Sequence, residues 1–255
     1  MRLRISIACL LLAATINTGV AQEFLVTTKL YQQQPETLIA RSMSVFHAGR
    51  VYDYVDTIGE LTVFEPAQKR FLIVNTGGMV ATVLTFADIE THIYRSEVRA
   101  KQIVAQGDGA NLAAVAFQLK PDFNMSYDKA RHQLHLNHPQ LSYTVECADG
   151  NEEALAAYVN YINWTAKLNY ILHPQVLPNP RLALNAALES NRVLPLALRL
   201  DSNLGSGLHL KAVHKYYWKL DAGARQKIVT WDGVIKDPNL KQVKFEDFQL
   251  PGEAH

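Results

Sequence analysis

The sequence predicts an α+β fold in which a curved antiparallel β-sheet, built as a meander of hairpins, wraps or packs against several helices. The first observation is a series of short alternating apolar segments separated by turn residues. The second is that the connections between these segments are too short for parallel crossovers. The third is a helical pattern over residues 151–172 whose circumference is mostly apolar or aromatic, which is typical of a helix that other elements enclose.

The first 21 residues have the layout of a cleavable signal peptide. Arg2 and Arg4 precede a short apolar stretch, and small residues lead up to Ala21. The stretch is too short to span a bilayer comfortably, so we expect no transmembrane segment in the mature chain. We therefore expect cleavage after Ala21 and a secreted or periplasmic protein.

Residues 22–255 are expected to form a single α+β domain with two β-rich halves, of about 22–120 and 121–255. The first half begins with six predicted strands, at 24–31, 38–46, 50–55, 60–64, 70–74 and 80–86. Asp53 shares a face of the third strand with Val51 and Val55, and we interpret it as a polar position in a hairpin. A capping box at 85–88 opens a helix that ends at Gly107, and a short helix follows at 112–119.

The second half repeats the mixture of strands and helices. Strands are predicted between 123 and 147, followed by the enclosed helix and by an amphipathic helix at 181–191 that begins after Pro178 and Pro180. Paired strands follow at 194–200 and 208–220. Asp221 caps a final short helix, and 243–248 is expected to return as an edge strand.

Charge and cysteine content exclude some classes of protein. The chain carries 25 Lys and Arg against 24 Asp and Glu, and Arg2 and Arg4 leave with the leader. This near-neutral balance argues against nucleic acid or an anionic membrane surface as the main partner. Cys9 also leaves with the leader, so Cys147 alone remains and no internal disulfide can form.

No motif for catalysis or for a cofactor stands out. His132 and His135 are the best metal candidates by spacing, but the segment alternates like a strand, which would place them on opposite faces. Gly205-Ser206-Gly207 is too short for a hydrolase nucleophile elbow and is typical of a turn. We therefore predict no catalytic residue, no cofactor and no metal site beyond those weak candidates.

The enclosed helix supplies the candidate ligand-binding residues. Tyr158, Tyr161, Ile162 and Trp164 are core residues by default, but they would line an apolar cavity if the sheet did not close around them. Asn169 lies close in angle to Tyr158 and Ile162 at 3.6 residues per turn, so its amide is expected to be buried.

The order of early hairpins, a helix, more strands and an enwrapped helix resembles the LolA/LppX type of periplasmic lipoprotein-carrier fold. The residues that carry the resemblance are 49–54, 59–66 and 70–74, and the similarity implies a curved sheet cupping helices over an apolar cavity. The chain lacks that family's amphipathic helix before the first strand. Residues 180–185 and 193–196 also resemble uncharacterised secreted proteins of planctomycete-type bacteria, a likeness that implies no biochemical role.

Three functions follow as hypotheses. The first is a non-catalytic cell-envelope protein with a structural or interaction role, whose partner is another envelope protein. The second is a carrier or binding protein for a lipid-like apolar small molecule, and the third is an unrecognised hydrolase.

Overall fold

The computed structural model describes residues 23–33, 35–107, 111–204 and 207–248, so the expected leader and its cleavage site lie outside the described residues. The first half contains β1 (Phe24–Gln32), β2 (Thr37–His47), β3 (Arg50–Val55), β4 (Glu60–Glu65), β5 (Arg70–Asn75), β6 (Val80–Thr85), α1 (Phe86–Gln106) and α2 (Leu112–Leu119). The second half contains β7 (Asn124–Asp128), β8 (Gln133–Asn137), β9 (Leu141–Asp149), α3 (Glu152–Leu172), α4 (Asn179–Asn191), β10 (Val193–Ser202), β11 (Leu208–Tyr217), α5 (Ala222–Ile235) and β12 (Lys241–Gln242).

Within these ranges the strands form one sheet of twelve, in the order β12-β6-β5-β4-β3-β2-β1-β11-β10-β9-β8-β7. Every neighbouring pair is antiparallel except β12 with β6. The two β-rich halves meet where β1 pairs with β11, and Leu25 lies opposite Tyr217 at one end of that pair. The predicted α+β class, with a curved antiparallel sheet packed against helices, is confirmed.

The sheet buries both faces, but against different helices. On the inner face, side chains such as Phe24, Phe46 and Phe64 share a core with α1, α2, α3 and α4. On the outer face, neighbours such as Leu25 and Val45 pack with α5. Successive side chains of a strand point to opposite faces, so one strand serves both cores.

Local signals set most of the helix boundaries. Thr85 and Asp88 form the expected capping box of α1, and Gly107 ends that helix with a φ of 72°. Asp221 caps α5 through a hydrogen bond from the backbone N–H of Ala224. These elements lie where the sequence places them.

Three predicted boundaries are wrong, and one of them is the strand expected at 208–220, which ends at Tyr217. The helix expected from residue 181 begins at Asn179, because Pro180 lies in its first turn, where a missing N–H costs nothing. The edge strand expected at 243–248 is absent there, since β12 ends at Gln242 and Phe245–Asp247 forms a 3₁₀ turn. The apolar residues of that segment pack on the inner core instead, and Phe248 is buried in it.

In the part of the chain that the structure describes, no helix has both the length and the apolar character needed to cross a membrane.

Candidate functional site

The strand register orders the inner face into rows that run across the sheet. The aromatic row joins the cross-strand partners Phe24, Phe46, Val51, Phe64, Phe71 and Leu84. The middle row joins Tyr216, Val26, Ser44, Asp53, Thr62, Ile73 and Thr82, and the polar row joins His214, Thr28, Ser42, Val55 and Glu60. Side-chain polarity therefore rises along the strands, from a closed aromatic end to a polar end.

Helix α3 packs over the aromatic row. The ring of Tyr161 meets Phe46 edge-on at a centroid distance of 5.6 Å, and Trp164 stacks on Phe86 at 3.6 Å. Tyr158, Tyr161 and Ile162 are buried and Trp164 is half-buried, so these candidate ligand-lining residues pack as core.

Asn169 is exposed, so the predicted burial of its amide is wrong. Along the same helix face, Tyr158 and Ile162 are buried, Thr165 is half-buried and Asn169 is open. The last turns of α3 still bury Leu168 and Ile171, but the covering elements do not reach the face on which Asn169 lies.

The middle row contains a carboxyl group among apolar neighbours. Ser44 Oγ donates to Asp53 Oδ1 over 2.7 Å, and the Tyr161 side chain of α3 also hydrogen-bonds to this carboxylate. Burial raises the pKa of Asp53 above its usual range, although the Ser44 and Tyr161 hydrogen bonds oppose that rise. Burial also raises the pKa of Tyr161 well above its ordinary value.

His214 lies in the polar row beside Thr28, and its Nδ1 is 2.9 Å from the Thr28 hydroxyl. Burial, with a further contribution from the Arg181 charge, lowers the pKa of His214 to about 4. The side chain is nevertheless only half-buried. His214 therefore lies at a partly accessible, polar end of the inner face.

Arg181 lies in the first turn of α4, and its charge contributes to the lowered pKa of His214. Its Nε donates to Asn185 Oδ1 over 3.1 Å, and the fully buried Asn185 donates in turn to Asn163 of α3 over 2.9 Å. The Arg181 charge lowers the pKa values that burial raises at Tyr158 and Tyr216, so the guanidinium lies near both rings. Among the described residues, no carboxylate forms an ion pair with it.

An accessible apolar surface adjoins the polar row, one step further along the strands. Leu30 pairs with Ala40 on one side and with Ala212 on the other. These side chains are half-buried, as are Leu200 and Leu210 of the next strand pair. The open end of the inner face therefore presents apolar side chains next to hydrogen-bonding groups and a cation that has no carboxylate partner among the described residues.

Glu60 extends the polar row at β4. The Thr62 hydroxyl donates to its Oε1 over 3.2 Å, and burial raises the pKa of this carboxyl group, opposed by that bond. Two carboxyl groups, Asp53 and Glu60, thus lie on this face without a cationic partner among the described residues.

The histidines singled out by spacing do not come together. His132 lies in the turn before β8 with its Nδ1 3.4 Å from the Tyr127 hydroxyl, whereas His135 lies within β8. His138 stacks on Phe117 at 4.0 Å. No group of three or more His, Cys, Asp or Glu side chains suited to a metal ion occurs in the described ranges.

No protein-family model matches the chain, and no curated protein matches it either. The site therefore has to be interpreted from its own chemistry. Sequence reasoning missed Asp53, His214 and Arg181 as a group, since they lie on three separate elements. One signal was present: Asp53 shares a strand face with two valines, which places a carboxyl group on a face that is otherwise suited to burial.

Proposed function

We propose that the protein binds a small lipid-like amphiphile with an acidic head group, at the open end of the inner face. The leader predicts that it does so outside the cytoplasm. The observation that carries the proposal is Arg181, which is held against the inner face by buried Asn185 and has no carboxylate partner among the described residues. A cation held beside a partly accessible face is a ready partner for a carboxylate or phosphate oxygen.

Hydrogen-bonding groups surround the place expected for the head group. Thr28 and His214 are joined to each other, and Tyr216 lies in the next row with its hydroxyl donating to the Pro195 carbonyl over 3.0 Å. With a pKa near 4, the His214 imidazole is neutral at pH 7 and offers one ring N–H donor. An acidic head group would accept hydrogen bonds from this ring and from Arg181.

The accessible apolar side chains would contact the apolar tail of such a ligand. Leu30, Ala40 and Ala212 adjoin the polar row, and apolar surface left half-open is the usual lining of a lipid site. The ionisable groups of the inner face do not stabilise the fold, because buried ionisable groups without ion partners cost free energy. Perturbed titratable groups beside partly accessible apolar side chains are more typical of a binding site.

The geometry does not favour the hydrolase hypothesis. His214 bonds to a threonine hydroxyl, but a pKa of about 4 makes its imidazole a weak base at neutral pH. His132 is 3.9 Å from Asp149, a distance too long for a hydrogen bond. The structural or interaction role stays a prediction, as does the resemblance to lipoprotein carriers.

The test combines native mass spectrometry with binding of a fluorescent fatty acid. We expect mature protein purified from its host to retain an acidic lipid, and delipidated protein to bind the fluorescent probe. Arg181→Gln should weaken probe binding about tenfold or more, since it removes a charge-assisted hydrogen bond. Arg199→Gln, an exposed position on β10, is the matched control and should bind as the wild type does.

Absence of both retained lipid and probe binding would overturn the proposal. Equal weakening by Arg199→Gln would mean that the general charge of the protein, and not Arg181 at the inner face, attracts the probe. In either case the interaction role would become the leading hypothesis.

A further inference from the structure

A pocket lies on the outer face of the sheet beside α5, and its lining also includes Thr28 and Ser42 of the polar row. It encloses about 190 Å³ between β1, β2 and β3 on one side and Lys227 of α5 on the other. This is smaller than the roughly 300–1,000 Å³ clefts that hold drug-sized ligands. Its size suits a small anion with a compact organic group.

The charges around this outer pocket are unbalanced. Lys29, Arg41 and Lys227 line it together with one carboxylate, that of Asp56. All four side chains are exposed, and none of them forms an ion pair in the described part of the chain. The pocket therefore carries a net positive charge with free donors.

The register brings two of these cations together. Lys29 and Arg41 are direct cross-strand partners in the β1–β2 pair, so they face each other on the outer side. Like charges in directly opposite positions destabilise a sheet. A bound anion would remove that repulsion, and the guanidinium fork of Arg41 can donate two parallel hydrogen bonds to it.

The lining of the pocket also includes apolar surface. Met43 and Tyr54 are half-buried cross-strand partners in the β2–β3 pair. The ring of Tyr54 also packs against Trp231 of α5 at a centroid distance of 5.7 Å, which fixes its orientation. An aromatic or short aliphatic group attached to the anion could lie against these two side chains.

We infer that the outer pocket binds a phosphate monoester of a small organic group. Three cationic side chains against one carboxylate match the charge of about −1.5 to −2 that such a group carries at pH 7. Arg41, Lys29 and Lys227 hold the phosphate, and Met43 and Tyr54 contact the organic group. This inference does not depend on the proposed lipid, although Thr28 and Ser42 of the polar row also belong to the lining of the outer pocket.

The experiment is calorimetric titration at low salt with two probes, phenyl phosphate and inorganic phosphate. We expect phenyl phosphate to bind with a dissociation constant of about 1 mM or tighter, and inorganic phosphate to bind more weakly. Arg41→Gln should weaken both probes about tenfold. Lys101→Gln, an exposed position on α1, is the control and should leave both unchanged.

A further variant separates the two parts of the pocket. Met43→Ser should weaken phenyl phosphate several-fold and leave inorganic phosphate unchanged. Equal affinity of the two probes would overturn the apolar part of the inference and retain the anion site. No binding by the wild type, or equal losses in Arg41→Gln and Lys101→Gln, would overturn the whole inference. A circular-dichroism spectrum unchanged from wild type shows that each variant is folded.

Discussion

Ser44 and Asp53 face each other across the β2–β3 pair, and the Ser44 hydroxyl donates to the Asp53 carboxylate over 2.7 Å inside the inner face. The Tyr161 side chain of α3 also acts on this carboxylate and lowers its pKa. The strand register therefore places a carboxyl group where it loses hydration. Hydrogen bonds only partly compensate for the lost hydration.

Asp53→Asn should stabilise the protein at pH 7 by on the order of 1 kcal/mol, because the amide keeps the shape and avoids the cost of a buried charge. Burial raises the folded pKa of Asp53 above its ordinary value of 3.8. The carboxyl group therefore lowers stability as the pH rises from the unfolded pKa through the folded pKa. Urea denaturation should show the advantage of the variant at pH 7, shrinking towards pH 4. Asp56→Asn, an exposed neighbour, is the control, and an equal gain there would contradict the assignment.

His214→Gln should flatten the acid dependence of stability. The folded pKa of His214 is about 4 and its ordinary value is 6.5, so wild-type stability is lost as the pH falls through this interval. Between pH 7 and pH 4.5 the wild type should lose about 2–3 kcal/mol more than the variant. Urea denaturation at both pH values measures the difference. His209→Gln, an exposed histidine of the same strand that pairs with Asp201, should not change the acid dependence in this way.

Cys147 should react with thiol reagents only when the protein unfolds. The side chain is buried, and burial raises the pKa of its thiol to about 11, so roughly one molecule in a thousand carries the thiolate at pH 8. Labelling by a chromogenic disulfide in increasing urea should follow the unfolding curve, and reductant should leave the melting temperature unchanged. Rapid labelling without urea would show that the thiol is accessible, and a large effect of reductant would indicate an intermolecular bond.

Trp231→Ala should detach α5 from the outer face at a cost of about 3–5 kcal/mol, because it empties a buried aromatic position. The indole is buried and stacks on Tyr52 at 6.0 Å, and the Tyr52 hydroxyl donates to the neighbouring Asp232 over 2.9 Å. Val229→Ala, an exposed position on the same helix, should change the free energy of unfolding by less than about 0.5 kcal/mol. Equal losses from the two variants, measured by urea denaturation, would contradict the packing of α5.

The sequence by itself determined the secondary structure and the fold class. Alternation predicted β1 to β6, and the capping box at Thr85 and Gly107 predicted the ends of α1, because these signals are local. These local signals gave a wrong prediction where packing against distant residues decided the structure. Residues 243–248 alternate like a strand, but their apolar side chains pack against the inner core and the segment does not pair as a strand.

Only the tertiary structure decided which polar residues meet. Thr28 and His214 are 186 positions apart, and antiparallel pairing of β1 with β11 makes them neighbours. Asn169 has the same helix angle as Tyr158 but is exposed, because burial depends on what covers each turn. Periodicity fixes the direction of a side chain within its own element, whereas strand order and register fix what it faces, and these depend on contacts between segments that are distant in sequence.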